Sequence, residues 1–67
     1  MKLSARNDLK GKITAISKGT VMAKITVDVG GQSIVSLIGI DSAEDLGLTI
    51  GDEVHAIIKS TEVIIGK

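Results

Sequence analysis

The stretch Val21-Met22-Ala23-Lys24-Ile25-Thr26-Val27-Asp28-Val29-Gly30-Gly31-Gln32-Ser33-Ile34-Val35-Ser36-Leu37-Ile38-Gly39-Ile40 decides the fold. Its first half alternates strictly. Val21, Ala23, Ile25, Val27 and Val29 occupy odd positions, and Met22, Lys24, Thr26 and Asp28 the even ones. Successive side chains of a strand point to opposite faces, so this pattern predicts a half-buried antiparallel strand. Gly30-Gly31 supplies the positive φ that a two-residue hairpin turn requires. The return strand, about Gln32–Ile40, carries Ile34, Ile38 and Ile40 on one face and Val35 and Leu37 on the other. Apolar residues on both faces predict a strand covered on both sides, as at a subunit interface.

Outward from this hairpin, the same period continues. A strand over about Gly11–Lys18 holds Ile13, Ala15 and Ile16, and Lys18-Gly19 turns it into the next. Asp41-Ser42-Ala43-Glu44-Asp45-Leu46-Gly47 is the one helical signature: Asp41 or Ser42 can cap it, and Gly47 ends it. Ile50-Gly51-Asp52 reads as a turn, Glu53–Ile58 as a strand with Val54, Ala56 and Ile58 on one face, and about Thr61–Ile65 as a last strand. Five strands, a short extended N-terminal segment and one brief helix between the third and fourth strands fit an all-β fold. The expected architecture is a five-stranded barrel of the oligonucleotide/oligosaccharide-binding (OB) type, with an SH3-like barrel or small open sheet as the alternatives. Residues 1–67 are expected to form a single domain.

Composition narrows the function. The chain has 67 residues, no Cys and no Phe, Tyr or Trp, so its core is aliphatic and small. Chains of this size commonly add disulfides, metals or oligomerisation, and of these oligomerisation is the expected device. Net charge is zero but segregated: residues 1–24 sum to +5 and residues 25–67 to −5. That asymmetry favours head-to-tail or swapped association of chains, although solvated strand faces would produce the same pattern. No 18-residue apolar run and no apolar stretch after Met1-Lys2 is present, so neither a membrane span nor a secretory signal is predicted, and a cytoplasmic protein is expected.

OB barrels that bind nucleic acid use aromatic stacking platforms and a positive groove. With no aromatic residue and no net charge, that reading fails at the level of residues. Enzymatic chemistry is also disfavoured. His55 is the one histidine, alternating within a strand between Val54 and Ala56, and no Cys or carboxylate–His spacing marks a nucleophile or metal ligand set.

Two polar islands remain, Ser4-Ala5-Arg6-Asn7 and Lys59-Ser60-Thr61, and neither window, Leu3–Asn7 or Ile57–Thr61, contains an acid. In an extended segment Ser4 and Arg6 share one side, and small Ala5 leaves backbone N–H groups accessible. A capping Ser and a solvated Arg is the plain alternative, and Lys59-Ser60-Thr61 alone can be a turn. Together they supply two cations, several hydroxyls and turn N–H groups, a donor-only set that suits an oxyanion without any metal. Gly19-Thr20, at a hairpin tip, can add an N–H or hydroxyl.

Ser4-Ala5-Arg6-Asn7 followed by Leu9-Lys10-Gly11, then Leu46-Gly47-Leu48 with Gly51, and Lys59-Ser60-Thr61 resemble the molbindins. These are small Mop-type proteins that bind molybdate or tungstate, and the resemblance covers essentially the whole chain. It implies an OB-like barrel with the N-terminal strand exchanged between partners, assembled as a homohexamer, a trimer of dimers. It implies oxyanion sites at subunit interfaces, with Ser4, Ala5, Arg6 and Asn7 of one chain meeting Lys59 and Ser60 of another. Thr20 would lie near them, contributing through its backbone. The implied role is non-catalytic binding of molybdate, or tungstate, for intracellular molybdenum storage and homeostasis. No cofactor and no direct protein–metal ligand is expected, and neither nucleic acid nor membrane is an expected partner. A regulatory interaction module, as when this domain type is fused to DNA-binding regulators or transporter ATPases, is the alternative. A chain starting at Met1 with no such partner domain favours the stand-alone role.

Overall fold

A computed structural model describes residues 2–67; Met1, where the secretory-signal reading begins, lies outside the described residues. The element order is β1 (Asn7–Lys18), β2 (Met22–Val29), β3 (Gln32–Gly39), α1 (Ile40–Asp45), β4 (Glu53–Ile58) and a 3-10 turn at Ser60–Glu62. The strands form one antiparallel sheet in the order β3-β2-β1-β4.

The hairpin that opened the reading forms as expected. Val29 pairs with Gln32 across Gly30 and Gly31, whose φ values are +60° and +90°. Ala23, Ile25 and Val27 point inward and are buried, whereas Val35 and Leu37 remain 54% and 66% exposed on the outer face.

β1 is longer than its alternation predicts, beginning at Asn7 and not at Gly11. It serves two partners in turn: Asn7–Lys12 pair with β4, and Lys12–Lys18 pair with β2. Where it changes partner the backbones crowd. A Cβ on Gly11 would be driven onto the Asp28 carbonyl oxygen and to 2.8 Å from Val27 Cγ1. A register shift then falls between Ile13 and Ala15. This bulge resolves an inconsistency in the sequence. Ile13 and Ile16 have opposite parity, yet the extra residue lets both join the core while Ala15 turns out to solvent.

Ile13, Ala23, Ile25, Val27 and Ala43 make up the core, with Ile16, Val29, Ile38, Ile40, Leu48 and Val54 packed around it. Ile13 anchors this core at 1% exposure. Its backbone extends the β1–β4 ladder by one step, its N–H donating to Asp52 O (3.0 Å) and its carbonyl accepting from Gly51 N (2.8 Å). Asp52 fixes that turn by accepting from the Thr49 N–H and hydroxyl, both at 2.9 Å.

The helix starts at Ile40, ahead of both expected caps. Neither Asp41 nor Ser42 caps it; Gly39 is the N-cap, without a side-chain bond. The reason is local: Ile40 N–H donates to Val21 O (2.8 Å) and its half-buried side chain packs on the core, so the strand-to-helix junction is set by the sheet. Gly47 does end the helix. With φ +62° its N–H bonds Glu44 O (3.0 Å), and Leu48 N–H bonds Ala43 O (3.2 Å), the paired bonds of a Schellman motif.

The expected fifth strand is not formed. Ser60–Glu62 winds into a 3-10 turn, Glu62 N–H donating to Lys59 O (2.9 Å), and residues 63–67 join no ladder among the described residues. Alternation records an apolar face, but a strand also needs an edge to pair with. In this chain Ile64 and Ile65 stand 92% and 86% exposed. β3 and β4 each have one ladder partner, and residues of both line an open apolar cavity of about 500 Å³ that includes Ile25, Val27, Ile34, Ile38, Val54 and Ile58.

Candidate oxyanion site

The two polar islands meet at one end of the β1–β4 ladder. The last pair is Asn7 with Ile58; Arg6 precedes it on one strand and Lys59 follows it on the other, so both stand just past this end of the ladder, where Ser60 turns into the 3-10 segment. Lys59 is extended (φ −65°, ψ 140°) but lies outside the ladder, as the cap of the 3-10 turn. Ser4 and Arg6 are exposed and Ala5 and Asn7 half-buried, with the chain bending at Ser4 before β1 begins. A side-chain bond closes this end, Asn7 Nδ2 donating to Ile58 O at 3.1 Å. It satisfies a strand carbonyl and leaves the second amide hydrogen of Asn7 for another acceptor.

Two like charges at the same end of a ladder repel. Among the described residues no carboxylate lies within ion-pair distance of Arg6 or Lys59. An acceptor-only dianion between them would convert repulsion into two charge-assisted contacts. The Ser4 and Ser60 hydroxyls, both exposed, stand on the same two segments.

Thr20 is not brought to this end. It lies in the β1–β2 turn, where Lys18 pairs with Ala23, and therefore beyond the opposite end of β1 from Asn7. The whole length of β1, Asn7–Lys18, separates the two. One chain thus gathers Ser4, Ala5, Arg6, Asn7, Lys59 and Ser60 near one end and leaves Thr20 at the other. The cavity between β3 and β4 is separate, and its lining is aliphatic apart from Ser36 and His55.

A contact that sequence reading missed lies beside the site. His55 Nδ1 and Asp8 Oδ1 are 2.8 Å apart on the outer face of β1 and β4, each side chain about half exposed. The two residues are 47 apart in sequence. Only the ladder, in which Lys10 faces His55 and Asp8 faces Ile57, makes them diagonal neighbours.

One antiparallel sheet, a short helix after β3 and a donor-rich end define a small antiparallel β module. Residues 3–65 match the TOBE domain family. The chain is 50% identical over 66 residues to molybdenum-pterin-binding protein 3 of Clostridium pasteurianum, covering 97% of each. Among solved structures, a molybdate-binding protein from Sporomusa ovata superposes with a TM-score of 0.96 at 49% identity, over 100% of both chains. The cytoplasmic molybdate-binding protein ModG, solved with molybdate bound, superposes with a TM-score of 0.91 at 38% identity, over 96% of this chain and 46% of that one. The chain belongs to the TOBE-domain family, in its Mop-type molybdenum-pterin-binding branch. The molbindin resemblance and the β fold read from the sequence both stand, with four strands in the single chain in place of five.

Proposed function

We propose that this chain, acting as one domain over residues 1–67, binds molybdate or tungstate without catalysis, as a cytoplasmic protein of molybdenum storage and homeostasis. The observation that carries this reading is the position of Arg6 and Lys59 just past the last pair of the β1–β4 ladder, with no carboxylate within ion-pair distance of either among the described residues. A tetrahedral oxyanion offers acceptors only, and this end of the sheet offers donors only. Arg6 and Lys59 supply charge, Ser4 and Ser60 supply hydroxyls, and backbone N–H groups around Ala5 and Asn7 complete one wall. The molybdate-binding relatives, similar along the whole chain, support the choice of anion.

The position of Thr20 supports a site shared between subunits. A second chain lying antiparallel to the first would bring its β1–β2 turn to the donor-rich end, and the site would be completed at an interface. Exposed Val35, Leu37, Ile64 and Ile65 and the free edges of β3 and β4 supply the surface for such an assembly, which we take to be a homohexamer built as a trimer of dimers with an exchanged N-terminal strand. Exposed apolar area of this kind marks contact surfaces.

Isothermal titration of the anion-free protein with molybdate, tungstate, sulfate and phosphate tests this directly. Saturable binding of the first two, with sulfate and phosphate much weaker, is expected. Flat traces for molybdate and tungstate would remove the reading.

A further inference from the structure

The Asp8–His55 contact bears on how the anion site keeps its charge. We infer that His55 is a positioning residue for that site: it holds the Asp8 carboxylate away from Arg6, leaving the guanidinium free for the anion. This rests on the oxyanion reading above.

Asp8 is the acid nearest the Ser4–Asn7 segment in sequence, two residues from Arg6. Ser4, Arg6 and Asp8 are exposed where Ala5 and Asn7 are half-buried, so Arg6 and Asp8 project from the same face of an extended chain. Two strand steps are about 6.7 Å, which long Arg and short Asp side chains bridge easily. Left alone, Asp8 would pair with Arg6, or reach toward Lys59, and compete with an external anion for the same donors.

The structure shows another arrangement. Asp8 Oδ1 lies 2.8 Å from His55 Nδ1. A carboxylate only accepts, so the imidazole must donate its Nδ1–H. His55 faces Lys10 in the ladder, two pairs beyond Asp8 and Ile57 on the side away from Arg6. The contact therefore turns the carboxylate toward the Lys10 end and off the Arg6 end. Burial does not force this choice, because both side chains are about half exposed. The contact also sits where β1 has β4 as its one ladder partner, since pairing with β2 begins at Lys12.

Titration calorimetry with molybdate on four full-length proteins tests the inference: wild type, His55→Ala, Asp8→Asn and His55→Ala/Asp8→Asn. Releasing an exposed carboxylate onto Arg6 should weaken binding about three- to fivefold in His55→Ala, the scale of exposed ion pairs. Removing the charge should restore it, so the double variant should bind within about twofold of wild type, and Asp8→Asn alone at least as tightly. Added salt should shrink the His55→Ala defect, because exposed charges are screened. An unchanged His55→Ala overturns the inference. So does a defect that Asp8→Asn fails to rescue, which would make the contact a mere support of the strand pair. A flat wild-type trace removes the oxyanion reading and this inference with it, whereas the first two failures leave that reading in place.

Discussion

Arg6 carries the largest predicted effect of any single side chain. It is exposed, just past the end of the β1–β4 ladder as Lys59 is, and outside every ion pair among the described residues. Its guanidinium presents a planar fork that can give two parallel hydrogen bonds to one oxyanion, which the ammonium of Lys cannot reproduce. Arg6→Ala should weaken molybdate binding at least tenfold, about 1.4 kcal/mol, with the sheet intact. Arg6→Lys should recover part of that loss but not all of it. Calorimetric affinity for the two variants, with far-ultraviolet dichroism as the control for folding, checks both. Unchanged affinity in Arg6→Ala would remove this residue from the site. Residue identity was enough to nominate Arg6, because an acid-free cluster of donors is visible in the string. Partnership was not: His55 and Asp8 look unrelated until the register of β1 against β4 is known.

At the scale of elements, β1 is the strand on which the architecture turns. It begins on β4, passes Gly11, and continues on β2 through a bulge at Thr14. A methyl at Gly11 would meet the Asp28 carbonyl and the Val27 and Val29 side chains. Backbone cannot yield as a flexible side chain can, so Gly11→Ala should destabilise by about 1–3 kcal/mol, the range for overpacking. In urea this appears as a lower midpoint with an unchanged m-value; an unaltered midpoint would mean that the strands separate at no cost. The β2–β3 hairpin, the Gly47 helix stop and strand Glu53–Ile58 were legible from alternation and glycine placement. The bulge was not, since Ile13, Ala15 and Ile16 read equally well as an imperfect strand. The last strand failed for a different reason. Val63 and Ile65 have the right period, but pairing depends on an edge being offered, and local sequence does not record that.

At the scale of the whole molecule, a single chain leaves much of its apolar surface uncovered. Five residues form the buried core, while Val35, Leu37, Ile64 and Ile65 are each more than half exposed. Two sheet edges remain free. A core this small gives marginal stability, and contact with other copies is the available supplement. If the anion is bound between copies, ligand and assembly stabilise each other by mass action: at a hundred times Kd the gain is about 2.7 kcal/mol. For a domain of this length that corresponds to an increase in Tm of roughly 10 °C or more, as about 4–8 °C accompanies each kcal/mol. The wild-type Tm should therefore rise with protein concentration and, separately, with molybdate, while sulfate at equal ionic strength should move it little. Leu37→Glu places a charge on the outer face of β3 without touching the buried core, since Leu37 is 66% exposed. Light scattering coupled to size exclusion should show a smaller species for this variant, and its Tm should lose most of its dependence on protein concentration. A variant of wild-type mass and wild-type concentration dependence would show that the outer face of β3 is solvated in the assembly, and would shift the burden of association to the C-terminal segment and the free strand edges.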